Sequence, residues 1–152
     1  MRIFIKFILI IFLVGAFPSY AQTSIPEDEV KAAFIFHFLN YTQWDDGRTD
    51  YNVCIPEDDS FRAVARSILQ GKEVNGRKIA VMAQGPSCHV LVSGFSPQTD
   101  STLTIGNLSR GALFEFRIIN NKLKFAADLE RIKNSKFKMS IQLLKMAILD
   151  KK

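Results

Sequence analysis

Apolar side chains recur three and four positions apart from residue 27 to about residue 41. Val30, Ala33, Phe34, Phe38 and Tyr41, with His37 among them, mark one face of a helix. Ile35, Phe36 and Leu39 widen that face almost all the way round, so the helix is either sandwiched in a core or offers its second face to a partner. Ser24-Ile25-Pro26-Glu27 ahead of it has the S-x-x-E spacing of a capping box, with proline inside the first turn. Ser60–Gln70 is a second, amphipathic helix with Phe61, Val64, Ala65, Ile68 and Leu69 on one side, ended by Gly71.

Between and after these helices the pattern shortens to strands. Tyr51–Ile55, Lys78–Met82, Cys88–Ser93 and Thr102–Ile105 are continuous apolar runs of the kind covered on both faces. Asn75-Gly76 signals a turn. Ala112–Ile119 and Lys122–Ala127 alternate instead, with Phe114, Phe116, Ile118, Leu123 and Phe125 on one face, around Asn120-Asn121, a pair that tolerates positive φ. Asp128 can cap a short helix, Leu129–Asn134, and a last helix over Ser140–Leu149 stacks Ile141, Leu144, Ala147 and Ile148. The expected fold class is α/β: a single domain with a mixed sheet, helices on both faces, and a C-terminal hairpin followed by helices.

Composition narrows this picture. The chain has 152 residues, 47% hydrophobic and 23% charged, which suits one domain with a real core. Its formal charge of +5 is scattered, and no run of five or six like charges marks a nucleic-acid tail. Met1–Ala21 reads as a cleaved secretory signal: Arg2 and Lys6, an apolar stretch broken by Gly15 and Pro18, then Ser19-Tyr20-Ala21 as a small-x-small cleavage site. The expected division is therefore a signal peptide over 1–21 and an exported, periplasmic domain over 22–152. Cys54 and Cys88 are the only cysteines. Export favours a bridge between them over two buried free thiols, and their distance in sequence excludes CxxC redox chemistry.

A search for chemistry returns little. His37 lies on the apolar helix face, and His89 sits in a strand beside Cys88, on the opposite face from it. There is no HExxH, no G-x-S-x-G and no Gly-rich phosphate loop around Gly106 and Gly111. Glu27-Asp28-Glu29 and Glu57-Asp58-Asp59 read as solvated acidic triplets, the first well placed at a helix N-terminus. No catalytic, cofactor-binding or metal residue is assigned, which points to a binder or regulator.

Val30-Lys31-Ala32-Ala33-Phe34-Ile35-Phe36-His37-Phe38 followed by Trp44, then Cys54, Gly71, Val74-Asn75-Gly76-Arg77 and Cys88-His89-Val90-Leu91-Val92, resembles the YfiR-like periplasmic proteins. The likeness continues through Leu103-Thr104-Ile105, Gly111 to Phe116, Leu123-Lys124-Phe125 and Leu143-Leu144-Lys145-Met146-Ala147. It implies a periplasmic α/β domain that holds an inner-membrane signalling protein in check; in the family's namesake system that partner is a diguanylate cyclase, which sets cyclic-di-GMP output. It also implies that Cys54 and Cys88 match a family disulfide. The chain departs from the family where Asp45 replaces a proline, where Ala112 replaces a glycine after a shortened Gly106–Arg110 loop, and where Phe125-Ala126-Ala127-Asp128 replaces Phe-Glu-Ile-Asn.

The expected function is that of a periplasmic inhibitory binding protein. The partner-binding residues are Phe114, Ala126, Leu129 and Ile132, at the junction of hairpin and first C-terminal helix, where apolar anchors would carry the contact. The expected partner is the periplasmic part of the signalling protein, with a second copy of the chain as a further candidate; no nucleic acid is expected, and the membrane is reached only through the partner. The alternative is a periplasmic small-ligand sensor or solute-binding accessory with a cleft at the strand ends. A hydrolase is disfavoured by the missing catalytic constellation.

Overall fold

The computed structural model describes residues 25–85, 87–94 and 99–149. The expected leader and Ser24 of the expected capping box lie outside them. Helix α1 spans Glu27–Asn40 and starts at Pro26, which contributes no side-chain cap. Glu27, Asp28 and Glu29 in its first turn instead complement the positive end of the helix dipole. The buried side of α1 carries Ala32, Ile35, Phe38 and Leu39, while Ala33 and His37 are exposed. The expected stripe is thus rotated, and Ile35 and Leu39 belong to the core. A helix apolar almost all round has no single preferred face by periodicity alone; its neighbours choose the face.

Those neighbours are α2 (Asp59–Leu69) and the C-terminal hairpin. Asp58 caps α2 by accepting the Phe61 N–H at 2.9 Å, and Phe61, Ala65 and Leu69 are its buried residues. Gly71 follows with φ +77°, a left-handed conformation that favours glycine.

Among the described residues the main sheet has eight strands: β2 (Asp50–Cys54), β3 (Glu73–Val74), β4 (Arg77–Met82), β5 (Val90–Val92), β6 (Leu103–Ile105), β7 (Phe114–Ile119), β8 (Lys122–Ala127) and β10 (Ile148–Leu149). Their spatial order is β10-β8-β7-β6-β5-β2-β4-β3. Strands β4, β2, β5, β6 and β7 run parallel. From β2 the chain passes through α2 to β4 on one side, then returns across β2 to β5 on the other. The strand order reverses between β2 and β5, which is a topological switch point.

Both turn signals form as expected. Asn75 (φ 51°) and Gly76 (φ 78°) join β3 to β4, and Asn120 (φ 51°) and Asn121 (φ 58°) join β7 to β8. Strand β7 meets β6 only at Ile105–Phe114, so most of the hairpin projects beyond the carboxyl end of the parallel strands. Its base is packed on α1: the Phe38 ring lies 4.7 Å from Phe114 and 5.0 Å from Phe125.

The C-terminal third departs from expectation. Asp128 caps α3 (Leu129–Lys133) through the Arg131 N–H, as anticipated. Lys138–Met139 (β9) then pairs with Thr42–Gln43 (β1) in a separate two-stranded sheet. The last helix, α4, spans only Ile141–Met146, buries Leu143 and leaves Ile141 exposed. Ile148–Leu149 leaves the helix and pairs in parallel with β8 at Ala126–Ala127. Without that pairing β8 would be an open edge, and pairing its free amides and carbonyls outweighs one more helical turn.

Candidate functional site

A polar node closes the amino end of the parallel strands. His89 is 1% exposed. Its Nδ1 accepts the Asn52 N–H at 3.0 Å, which leaves Nε2–H to donate to Asp46 Oδ2 at 2.6 Å. Asp46 Oδ1 accepts from Arg77 at 2.9 Å, and Arg77 also donates to the Trp44 carbonyl at 3.1 Å. The rings of Trp44 and Tyr51 stand edge-on to the imidazole at 5.4 and 5.2 Å. Burial pushes the His89 pKa below its ordinary value, and the pull of the Asp46 carboxylate does not reverse this. For Asp46, burial acts upward, but the Arg48 amide, His89 and Arg77 together hold it below the usual carboxylate range.

A neutral imidazole with both nitrogens engaged is a structural tie, not a base. It fastens the segment before β5 to β2 and to the loop before β2, and Asp46 carries the tie on to Arg77 of β4. Asn52 Nδ2 and Arg48 both donate to the Ser87 carbonyl, at 3.1 and 3.2 Å, next to the Cys54–Cys88 disulfide with its 5.8 Å Cα separation. Because the unfolded chain holds the His89 proton more tightly than the folded one, stability is fully present above about pH 6.5 and declines as pH falls below it. Asp46 acts in the same sense at lower pH. We expect the Tm to fall between about pH 7 and pH 5, with a shallower fall in His89→Gln. An equal pH slope in the variant would rule the imidazole out as the cause.

The opposite, carboxyl end holds an open cleft of about 380 Å³. Phe61, Val92 and Ile105 form apolar walls; Phe116, Ile118 and Leu123 come from the projecting hairpin; Glu27 and Lys31 come from α1. Glu57 spans the switch point: its carboxylate accepts the Ser93 hydroxyl at 2.9 Å and the Gly94 N–H at 3.0 Å, and these two bonds lower its pKa. At Gly106 a Cβ would collide with the Ser93 carbonyl, so glycine lets the ends of β5 and β6 approach each other closely beside the cleft. Glu57, Asp58 and Asp59 are exposed, as a solvated triplet should be, and Glu57 and Asp58 are in addition held in place by hydrogen bonds. An acidic residue directly after a buried strand and before an amphipathic helix was the available signal.

The expected partner-binding residues fall elsewhere. Phe114 and Ala126 are fully buried and Ile132 is 7% exposed; only Leu129 is half-buried. The hairpin closes onto α1 and β10 pairs with β8, so the first three offer no apolar surface. We expect Ile132→Glu to unfold the domain and Leu129→Glu to melt within about 1 kcal/mol of the parent, since a charge is costly only where water is excluded. Thermal melts of the two variants check this. His37, expected on the apolar face of α1, is exposed and stacked on Tyr41 at 6.3 Å.

Among the described residues no three His, Cys, Asp or Glu side chains group as a metal site, and no helix is long and apolar enough to cross a membrane. Fold and cleft together define a small α/β domain with a switch-point cleft and a disulfide-braced sheet. The sequence pattern of the YfiR/HmsC-like family matches residues 28–148, and the chain belongs to that family. The family is periplasmic and regulatory rather than catalytic, and membership fits, in general terms, a regulator of cyclic-di-GMP signalling. The chain matches no curated protein sequence.

Proposed function

We propose that this protein is exported by cleavage after Ala21. In the periplasm it acts as a non-enzymatic inhibitor that binds the outer part of an inner-membrane signalling protein. A partner of the diguanylate cyclase class, as in the family's namesake system, makes cyclic-di-GMP the output. The observation that carries this reading is the family match across residues 28–148. The node supports it, because both nitrogens of the buried His89 are already engaged in hydrogen bonds. The test is deletion of the gene in its own host. Cellular cyclic-di-GMP is expected to rise, and to return when the chain is restored with its leader but not without it. Unchanged levels after deletion would refute the reading.

A small-ligand sensor is the second reading, favoured by the cleft at the switch point, where open α/β sheets bind ligands. A thermal-shift screen that raises the Tm with a periplasmic metabolite would support it.

A further inference from the structure

We propose that the carboxyl-end cleft docks a cationic, amphipathic segment of a protein partner. This rests on the regulatory-binding reading and adds the surface and its chemistry. The first support is apolar. Phe114, Phe116, Ile118, Leu123 and Phe125 share one face of the hairpin; Phe114 and Phe125 are buried and Phe116 is packed against the core. Ile118, paired across the hairpin with Leu123, is left 61% exposed above the cleft.

The second support is charge. The fold brings the two acidic triplets, thirty residues apart in sequence, to one rim: Glu27 and Lys31 line the cleft together with Glu57 and Asp58. Lys31 answers Glu27 and Asp28, and Arg62 answers Asp59. Glu57 and Asp58 are held by the Ser93 hydroxyl and the Gly94 and Phe61 amides, donors that orient a carboxylate without neutralising it. The rim is thus acidic on a chain whose formal net charge is +5.

These two supports select the occupant. An anionic segment would meet like charge, and a wholly apolar one would strip water from Glu57 without replacing it. Lysine or arginine beside aliphatic side chains satisfies both halves, with carboxylates already oriented before contact. The apolar strip continues from the cleft onto the exposed lip at Ile118, so a chain segment covers more of it than a small amine.

The test is fluorescence anisotropy on the purified exported protein, with a labelled peptide of leucine and lysine at helical spacing and its leucine–glutamate counterpart as probes. The lysine peptide should bind and the glutamate peptide should not. The Ile118→Ser, Glu57→Gln double variant should bind about tenfold more weakly, from one lost apolar contact and one lost charge pair, while its Tm falls by no more than a few degrees, because Ile118 is exposed and glutamine keeps an oxygen that can accept from Ser93 or Gly94. Asp100→Asn, outside the cleft, should bind as the parent does. Equal binding of the two peptides, or undiminished binding by the double variant, would overturn the proposal. The regulatory reading is read out separately, by the parent chain's effect on cyclic-di-GMP in cells. If the parent and the double variant suppress it equally, this surface is wrong and the regulator stands; if the parent fails to suppress it, the regulator falls and the peptide assay alone decides the cleft.

Discussion

Phe114→Ala should destabilise the domain by about 3–5 kcal/mol, a large share of what a domain of this size possesses. Phe114 is fully buried, with its ring 4.7 Å from Phe38 and 5.7 Å from Phe125, and its carbonyl accepts the Gly106 N–H at 2.8 Å. It sits where α1, β6 and the hairpin meet, so truncation empties space that three elements share and none can fill alone. Urea titration measures the loss as a lower midpoint with a similar slope. Ile118→Ala, two pairs of peptide bonds further along the same strand face, should cost less than about 0.5 kcal/mol because its side chain is already in water. The contrast between the two separates core from surface along a single strand. If Phe114→Ala unfolds like the parent, the ring is not the hairpin's core anchor.

Removing the Cys54–Cys88 bridge should cost about 3–4 kcal/mol on the chain-entropy account of loop closure. Cys54 is buried and Cys88 half-exposed, so reductant reaches the bond from the Cys88 side. The bridge does more than close a loop. It anchors the segment whose Ser87 carbonyl takes donors from Asn52 and Arg48 and whose next residues include His89. The loss in a Cys54→Ala, Cys88→Ala protein and the loss in His89→Gln should therefore combine to less than their sum, because each loosens the same segment. Denaturant curves of the four proteins measure this coupling, and thiol counting on denatured, unreduced parent should find no free cysteine. Full additivity would mean that bridge and node act independently.

Local chemistry made much of this fold legible. The α2 helix with its Asp58 cap, the two positive-φ turns and the Asp128 cap are all set by residues adjacent in sequence. What failed was set by distant residues. The face of α1 depends on what packs against a helix that is apolar nearly all round. Ile148–Leu149 became a strand because β8 offered an open edge, a fact no window around residue 148 contains. The Asp46–His89 hydrogen bond joins residues 43 apart, and only the parallel pairing of β2 with β5 brings them together. The same topology decides how much of the expected partner surface is exposed. Apolar residues at the hairpin–helix junction were legible as apolar, but the closure of the hairpin on α1 decides that Phe114 is inside and Ile118 outside.

The regulatory account is tested most directly by adding the purified exported protein to the periplasmic face of spheroplasts from its own host, prepared from a strain lacking the gene, and measuring cyclic-di-GMP synthesis. A dose-dependent fall, lost when the protein is first unfolded by reduction and heat, is the predicted result. Synthesis that stays constant at saturating protein would contradict the account.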